Sequence, residues 1–445
     1  MTTAEEKSQS HTTTDFNVLP VELIDRVFQY ASEDLDTASA CTLVSQSWRE
    51  LALPHLFSWL TVARRTTFED FRDFLDTHPH IARCIRTLEL AQLSDCTTRS
   101  TLWVVSLDSL IELVAKLPVL RVLLLRGIFF LDPPPRDAFE STLTTPAALH
   151  KRLEHLEIHG CFDHVVSDAL LIELPTLTGI LQAFPANSIT LSSVNVPTPG
   201  PRTTSILDPS TRLHVRELLL DGVDCKRQPN YDMAHLLTAL REVLAPGCLQ
   251  SFLSRVGLDT RPDPGSMGAF GELVHSTAET LQHLGLPFAL RHLIKASEDK
   301  PEHWRRLNLH ECHNLQSFTL PIYPPMLRTF ASARGSPYRQ DVPLSTTCIA
   351  ILSHLPQTLR TFTLAICNEV APAHIKSAKM GLEALDGALL EKGRFPALEL
   401  VEVTLRQLYH PEASLDGCER AVREVMPKCD GRGILEVLKD VSEDD

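Results

Sequence analysis

From residue 80 onward the apolar residues return in one short phrase, apolar-x-x-apolar-x-apolar. It reads Ile85-Arg-Thr-Leu88-Glu-Leu90, Leu120-Arg-Val-Leu123-Leu-Leu125, Leu153-Glu-His-Leu156-Glu-Ile158 and Val215-Arg-Glu-Leu218-Leu-Leu220. It continues as Leu281-Gln-His-Leu284-Gly-Leu286, Leu315-Gln-Ser-Phe318-Thr-Leu320, Leu359-Arg-Thr-Phe362-Thr-Leu364 and Leu398-Glu-Leu-Val401-Glu-Val403, with weaker copies around Ile189, Phe252, Leu307 and Phe330. Each phrase ends in strict alternation, the period of a strand with one buried face. The stretches between carry helical patterns, for example Leu102–Leu117, Tyr231–Leu244 and Thr347–Leu355.

The middle apolar positions 88, 123, 156, 189, 218, 252, 284 and 318 follow one another at steps of 29 to 35 residues, and two longer steps lead to 362 and 401. A period this steady marks a repeat architecture. Strand then helix, repeated, predicts an α/β fold over residues 61–438: an irregular leucine-rich-repeat solenoid with a parallel sheet on its concave side and helices outside. The Pro-rich stretches Asp132–Pro146, Asn195–Arg212 and Arg261–Gly268 read as loops inserted at its rim. Across 304–332 three phrases stand only 11 and 12 residues apart, too close for a helix between each, so one of them reads as a loop.

Residues flanking the middle apolar position point away from the core, because side chains alternate along a strand. They include Thr87, Glu89, Ser317 and Thr361, and the candidates for binding a protein target: His155, Glu157, Glu217, His283, Thr319, Thr363 and Glu402. The competing reading of that surface is a plain solvated sheet face.

Ahead of the repeats, residues 1–14 are a polar tail without material for a core. Residues 15–60 carry a different pattern. Pro20 suits the first turn of a helix, and Leu23, Ile24, Val27, Phe28 and Ala31 recur at three- and four-residue spacing. Asp34 to Asp36 can cap a second helix bearing Ala38, Cys41 and Val44; Ser45 can cap a third bearing Trp48, Leu51, Ala52 and Leu56. Three helices this short are not stable alone, and their apolar residues point in more than one direction, so part of that surface needs a cover. Residues 439–445 read as an acidic tail.

The formal net charge of −14 argues against nucleic acid as a partner. The eleven cysteines are scattered, with no C-x-x-C pair and no N-x-S/T sequon, which fits a reducing compartment, cytoplasmic or nuclear. No apolar stretch reaches the ~20 residues needed to span a bilayer, so no membrane role is expected.

Catalytic and cofactor chemistry find little support, and neither a cofactor nor a metal is expected. His310-Glu311-Cys312-His313 holds possible ligands, but without the spacing of a zinc site it reads as the turn of a repeat, as does His159-Gly160-Cys161. Gly265-Ser-Met-Gly268-Ala-Phe-Gly271 lacks the pattern of a phosphate cradle and reads as a flexible rim loop. No G-x-S-x-G elbow occurs, and Asp221 and Asp224 read as turn formers.

Residues 18–57 resemble the F-box family. The match runs through Leu19-Pro20-x-Glu22-Leu23-Ile24, Val27-Phe28-x-Tyr30, Asp36 and Ala38. It continues through Leu43-Val44-Ser45-Gln46-Ser47-Trp48-Arg49-Glu50-Leu51-Ala52 to Pro54-His55-Leu56-Phe57, a trailing pattern similar to F-box proteins of mushroom-forming fungi. Ser45 departs from the Cys that many members carry there. The resemblance covers roughly a tenth of the chain and implies a non-catalytic adaptor of a Skp1-cullin-F-box ubiquitin ligase. Residues 15–60 would bind Skp1, and through it a cullin scaffold. By analogy Leu19, Pro20, Leu23, Ile24, Val27, Leu43, Val44 and Trp48 would dock on Skp1, although Val27 and Trp48 could equally pack inside the unit. Two other readings stay open: a Skp1-bound interaction protein that works without a cullin, and a solenoid receptor or enzyme with a concave pocket.

Overall fold

The computed structural model describes residues 21–31, 34–63, 67–92, 104–131, 152–166, 169–197, 212–221, 233–255, 264–287, 301–322, 343–367, 371–407 and 415–441. Three helices open it: α1 (Val21–Ala31), α2 (Leu35–Cys41) and α3 (Gln46–Leu56). Asp34 caps α2, its carboxylate accepting from the amides of Asp36 and Thr37, and Ser45 caps α3 by accepting from the Trp48 amide. Each cap meets a backbone donor that the first turn leaves unpaired. Helix α2 ends at Cys41, so Val44, expected on it, sits instead in the turn between α2 and α3.

Among the described residues the remainder is built on an open sheet of 12 strands, all parallel and lying side by side in chain order. They are Trp59–Ala63, Thr87–Ala91, Val122–Arg126, Leu153–His159, Ala186–Ser192, Glu217–Asp221, Ser251–Arg255, His283–Gly285, Ser317–Ile322, Thr361–Cys367, Leu400–Gln407 and Leu435–Val441. The middle apolar residue of each phrase pairs with the middle residue of the next. Leu88 faces Leu123, then Leu156, Ile189, Leu218, Phe252, Leu284, Phe318, Phe362 and Val401 follow in one unbroken row. Every member of that row is buried.

That register follows from the pattern itself. A slip of one residue would turn every middle residue outward. Deleting the buried part of any one leucine in the row costs about 2–5 kcal/mol. Helices such as Leu107–Ala115, Leu174–Ala183, Met233–Val243, Pro264–Thr277, Leu344–Leu352 and Leu415–Val425 cover this face, and their buried residues join those of the strands in one continuous core. The opposite face of the sheet carries the flanking residues.

Several local expectations change. Leu307 closes a 3-10 helix, Pro301–Leu307, and is no strand centre; Phe330 lies outside the described residues; among the described residues of that region the strand is Ser317–Ile322. Of Leu102–Leu117 the described part opens with a two-residue strand, Val104–Val105, before its helix starts at Leu107. Gly265 to Gly271 lies in the Pro264–Thr277 helix rather than in a rim loop. Gly271 has a packing reason there, since a Cβ would sit 1.7 Å from the Arg306 carbonyl oxygen. The boundaries at 60/61 and 438/439 cut through the first and last strands, because Trp59–Ala63 and Leu435–Val441 both pair into the sheet. Phe57-Ser-Trp-Leu60-Thr-Val62 is a further copy of the phrase, hidden by its overlap with the end of α3.

Candidate functional site

Two surfaces collect the residues that the sequence singled out. The first lies on the three N-terminal helices. Phe28, fully buried, packs edge-to-face on Trp48 with ring centroids 5.6 Å apart and stacks on His55 at 5.9 Å. Ala38 and Ala52 complete this small core. His55 Nε2 lies 2.8 Å from Asp25 Oδ1 and ties α1 to α3. Trp48 and Ile24 are both half-buried, Trp48 with its ring against Phe28.

Other apolar side chains point outward. Val27 is 56% exposed, Tyr30 81%, Leu43 78% and Val44 65%, and Leu23 is nearly half exposed. Leu23, Val27 and Tyr30 share one face of α1 by their spacing, while Leu43 and Val44 project from the turn before α3. Val27, weighed as a core residue, is on the outside. Full burial of one such side chain contributes about 1.5–3 kcal/mol. Leu19 and Pro20 lie outside the described residues. Beside Leu43 a cleft of about 660 Å³ opens between α3 and the first repeat, lined by Thr42, Gln46, Arg49, Leu53, His80 and Cys84 among others.

The second surface is the open face of the sheet. Arg126, on the third strand, reaches back to Glu89 on the second and forward to Glu157 on the fourth. Its Nη1 lies 3.0 Å from Glu89 Oε1, and its Nη2 and Nε lie 3.1 and 3.2 Å from Glu157 Oε1. Leu124, between those carboxylates in the sheet register, is buried beneath the guanidinium's reach. Thr61 donates to Glu89 Oε2 at 2.9 Å, and the indole of Trp59, an exposed side chain on the edge strand, lies 3.3 Å from the Thr61 hydroxyl. His155 Nδ1 is 3.2 Å from Ser188 Oγ, and His159 Nδ1 is 3.0 Å from Ser192 Oγ.

Burial holds the His155 imidazole below its ordinary range, against the pull of the carboxylates of Glu157 and Glu217. The ring is therefore neutral near pH 7 and able both to donate and to accept. Glu217 and His283 are exposed; Thr319, Thr363 and Glu402 are half-buried and lie in one row, cross-strand neighbours in that order. The Thr404 hydroxyl donates to Glu402 at 3.0 Å. The arrangement thus gathers His155, Glu157 and Glu217 into one acidic region and sets Thr319, Thr363 and Glu402 several strands away.

Arg126, Trp59 and Thr61 were not singled out from sequence. Arg126 stands three residues after its middle apolar position, which is also a face-outward position, so extending the flanking rule by one step would have found it.

The motifs read as turns hold no ligand set: among the described residues no group of three or more His, Cys, Asp or Glu is placed to hold a metal ion. His310 and Glu311 lie in or beside a short 3-10 turn, and burial pushes the Cys312 thiol up to about 12. Among the described residues no helix is long and apolar enough to cross a membrane. No protein-family model matches the sequence, and no curated protein matches it.

Proposed function

We propose that the chain is a substrate-recognition adaptor of the F-box type: its three N-terminal helices dock on Skp1, and through Skp1 on a cullin, while the open face of the sheet holds a protein target. The observation that carries this reading is the outward apolar set Leu23, Val27, Tyr30, Leu43 and Val44 on a helical unit whose own core is already filled by Phe28, Ala38 and Ala52. Five exposed apolar side chains on so small a unit favour an interface over open solvent. By the resemblance Leu19 and Pro20 would dock on Skp1 as well, as would Ile24, which is half-buried. Trp48, half-buried against Phe28, is open enough to serve the docking role that the resemblance implies.

The test is capture of purified Skp1 by the full chain. Wild type should bind. Val27→Asp together with Leu43→Asp should abolish capture while leaving the thermal unfolding of the repeats unchanged, because both side chains lie outside the core. Undiminished capture by the double variant would overturn the assignment. Reconstitution with a cullin then asks whether the adaptor completes a ligase.

A further inference from the structure

In each repeat the residue four positions before the middle apolar one sits in the turn that leads into the strand. At that place Thr280 donates its hydroxyl to the Leu249 carbonyl at 2.8 Å, Asn314 donates its amide to the Glu279 carbonyl at 2.6 Å, and the Thr358 hydroxyl is 3.0 Å from the His313 carbonyl. These side chains staple one turn to the backbone of the turn before it. His214 and Cys248 occupy the same place in two successive repeats, and there the pattern changes. Cys248 Sγ lies 3.0 Å from His214 Nδ1, so side chain meets side chain.

The backbone on both sides of the pair is fixed. The Leu213 amide donates to the Val243 carbonyl and the Ala245 amide donates to the Leu213 carbonyl, each at 2.8 Å. Gly247, at φ +67°, donates to the Ser276 carbonyl at 3.1 Å, and the Gln250 amide donates to the Arg216 carbonyl at 2.8 Å. The contact therefore joins two clamped turns. His214 is exposed and Cys248 is half-buried, so the sulfur is within reach of a small reagent. The other half-buried thiol at this repeat position, Cys84, is directed at the His80 carbonyl at 3.3 Å and has no imidazole.

We propose that Cys248 and His214 form a nucleophilic thiol pair, a site of covalent modification by small soft electrophiles. Thiol with neutral imidazole, and thiolate with imidazolium, are the two ends of one proton transfer along the Sγ–Nδ1 line. With a haloacetamide such as iodoacetamide, the sulfur lone pair forms an S–C bond to the methylene carbon as the C–I bond breaks. Iodide leaves with the bonding pair, and the thiol proton passes to His214 Nδ1 and then to solvent. The site lies at the rim from which the Glu217–Asp221 and Ser251–Arg255 strands enter the sheet. A group added there would stand beside the open face and not within its Arg126 network.

The experiment is timed iodoacetamide labelling of the folded full chain at pH 7, read peptide by peptide by mass spectrometry. Cys248 should react about tenfold faster than Cys41 and Cys84. His214→Ala should bring its rate down to theirs, with the midpoint of thermal unfolding as the control for folding. His214→Gln, which keeps a polar side chain without the base, should do the same. A Cys248 rate no higher than that of Cys41 in the wild type overturns the proposal on its own, whatever the variants do. A rate unchanged in both His214 variants overturns the role of the imidazole.

Discussion

Arg126 and Glu157 sit on adjacent strands and are held together by two nitrogens of one guanidinium on a single carboxylate oxygen, at 3.1 and 3.2 Å. The same guanidinium holds Glu89 from the other side, so two carboxylates on strands that flank a common neighbour are kept from repelling each other across Leu124. Glu89 and Glu157 are only 12% and 19% exposed, whereas Arg126 is 43% exposed. The charge that neutralises the pair is thus the one most open to solvent and to a partner.

Glu157 and Glu217 should accordingly part company under the same substitution. Glu217→Lys changes an exposed site and should move stability by no more than about 0.5 kcal/mol. Glu157→Lys sets an ammonium against Arg126 and leaves it, among the described residues, with the Glu89 ion pair, which should cost about 1–2 kcal/mol after allowing for solvent screening. Leu156→Asp, next door but facing the helices, buries an unpaired carboxylate and should cost several kcal/mol at least. Urea unfolding of the three variants checks the order; a Glu217 variant as damaging as the Leu156 variant would show the register to be wrong. If the open face holds the target, both lysine variants should weaken capture.

Asp386 is a second buried acid with a structural task. It is 1% exposed, and its two oxygens accept from the amides of Lys428 and Cys429 at 3.0 and 2.9 Å, capping the Pro427–Gly431 helix from a distance of some forty residues in sequence. Asp386→Ala removes the acceptor from both amides, that of Cys429 buried, and should cost about 2–4 kcal/mol. Asp386→Asn keeps an acceptor and should recover about half. Equal stability of wild type and the alanine variant in urea would refute the cap.

His155 predicts a pH dependence. Its folded-state pKa lies below the ordinary 6.5, chiefly through burial. The unfolded chain therefore binds the proton more readily. The stability contribution is fully present above about pH 6.5 and is lost as pH falls from there through the folded value. His354 is shifted in the same direction by burial and by Arg305 and His310, so it adds a term of the same sign. Urea midpoints should drop between pH 7.5 and 5.5, and less steeply in His155→Gln. An identical slope in that variant would remove His155 as a contributor.

Lys439 bears on the last strand. It faces the helical side of Leu435–Val441, where its ammonium pairs with Asp416 and, at 3.0 Å, with Glu419 of the Leu415–Val425 helix. That strand is the outer edge of the sheet, with no neighbour beyond it among the described residues. An inward-pointing charge is a common means of keeping such an edge from pairing with another chain. Lys439→Val should raise the tendency to self-associate with little effect on thermal unfolding. Light scattering at rising concentration measures this, and an association state unchanged from wild type would count against the idea.

Much of this protein was legible in the chain. The alternation within each phrase determined which residues face the core, since a period of two allows only one buried face, and the spacing of the phrases determined how many residues each strand-helix unit spends. The caps Asp34 and Ser45 were readable because an N-cap needs only its own neighbours. What the sequence left open depends on distances across repeats. Leu307 matched the strand phrase yet ends a 3-10 helix, because local pattern does not say whether a neighbouring strand is free to pair. The glycines from Gly265 to Gly271 suggested a loop, and the helix there wins by packing, Gly271 against the Arg306 backbone. Val44 left its helix, and Trp48 set its ring edge-to-face on Phe28, for reasons of packing that spacing alone cannot express. Arg126 with its two glutamates, Asp386 with the Cys429 amide, and Cys248 with His214 are each separated by thirty residues or more, and only the stacking of one repeat on the next brings them within a hydrogen bond.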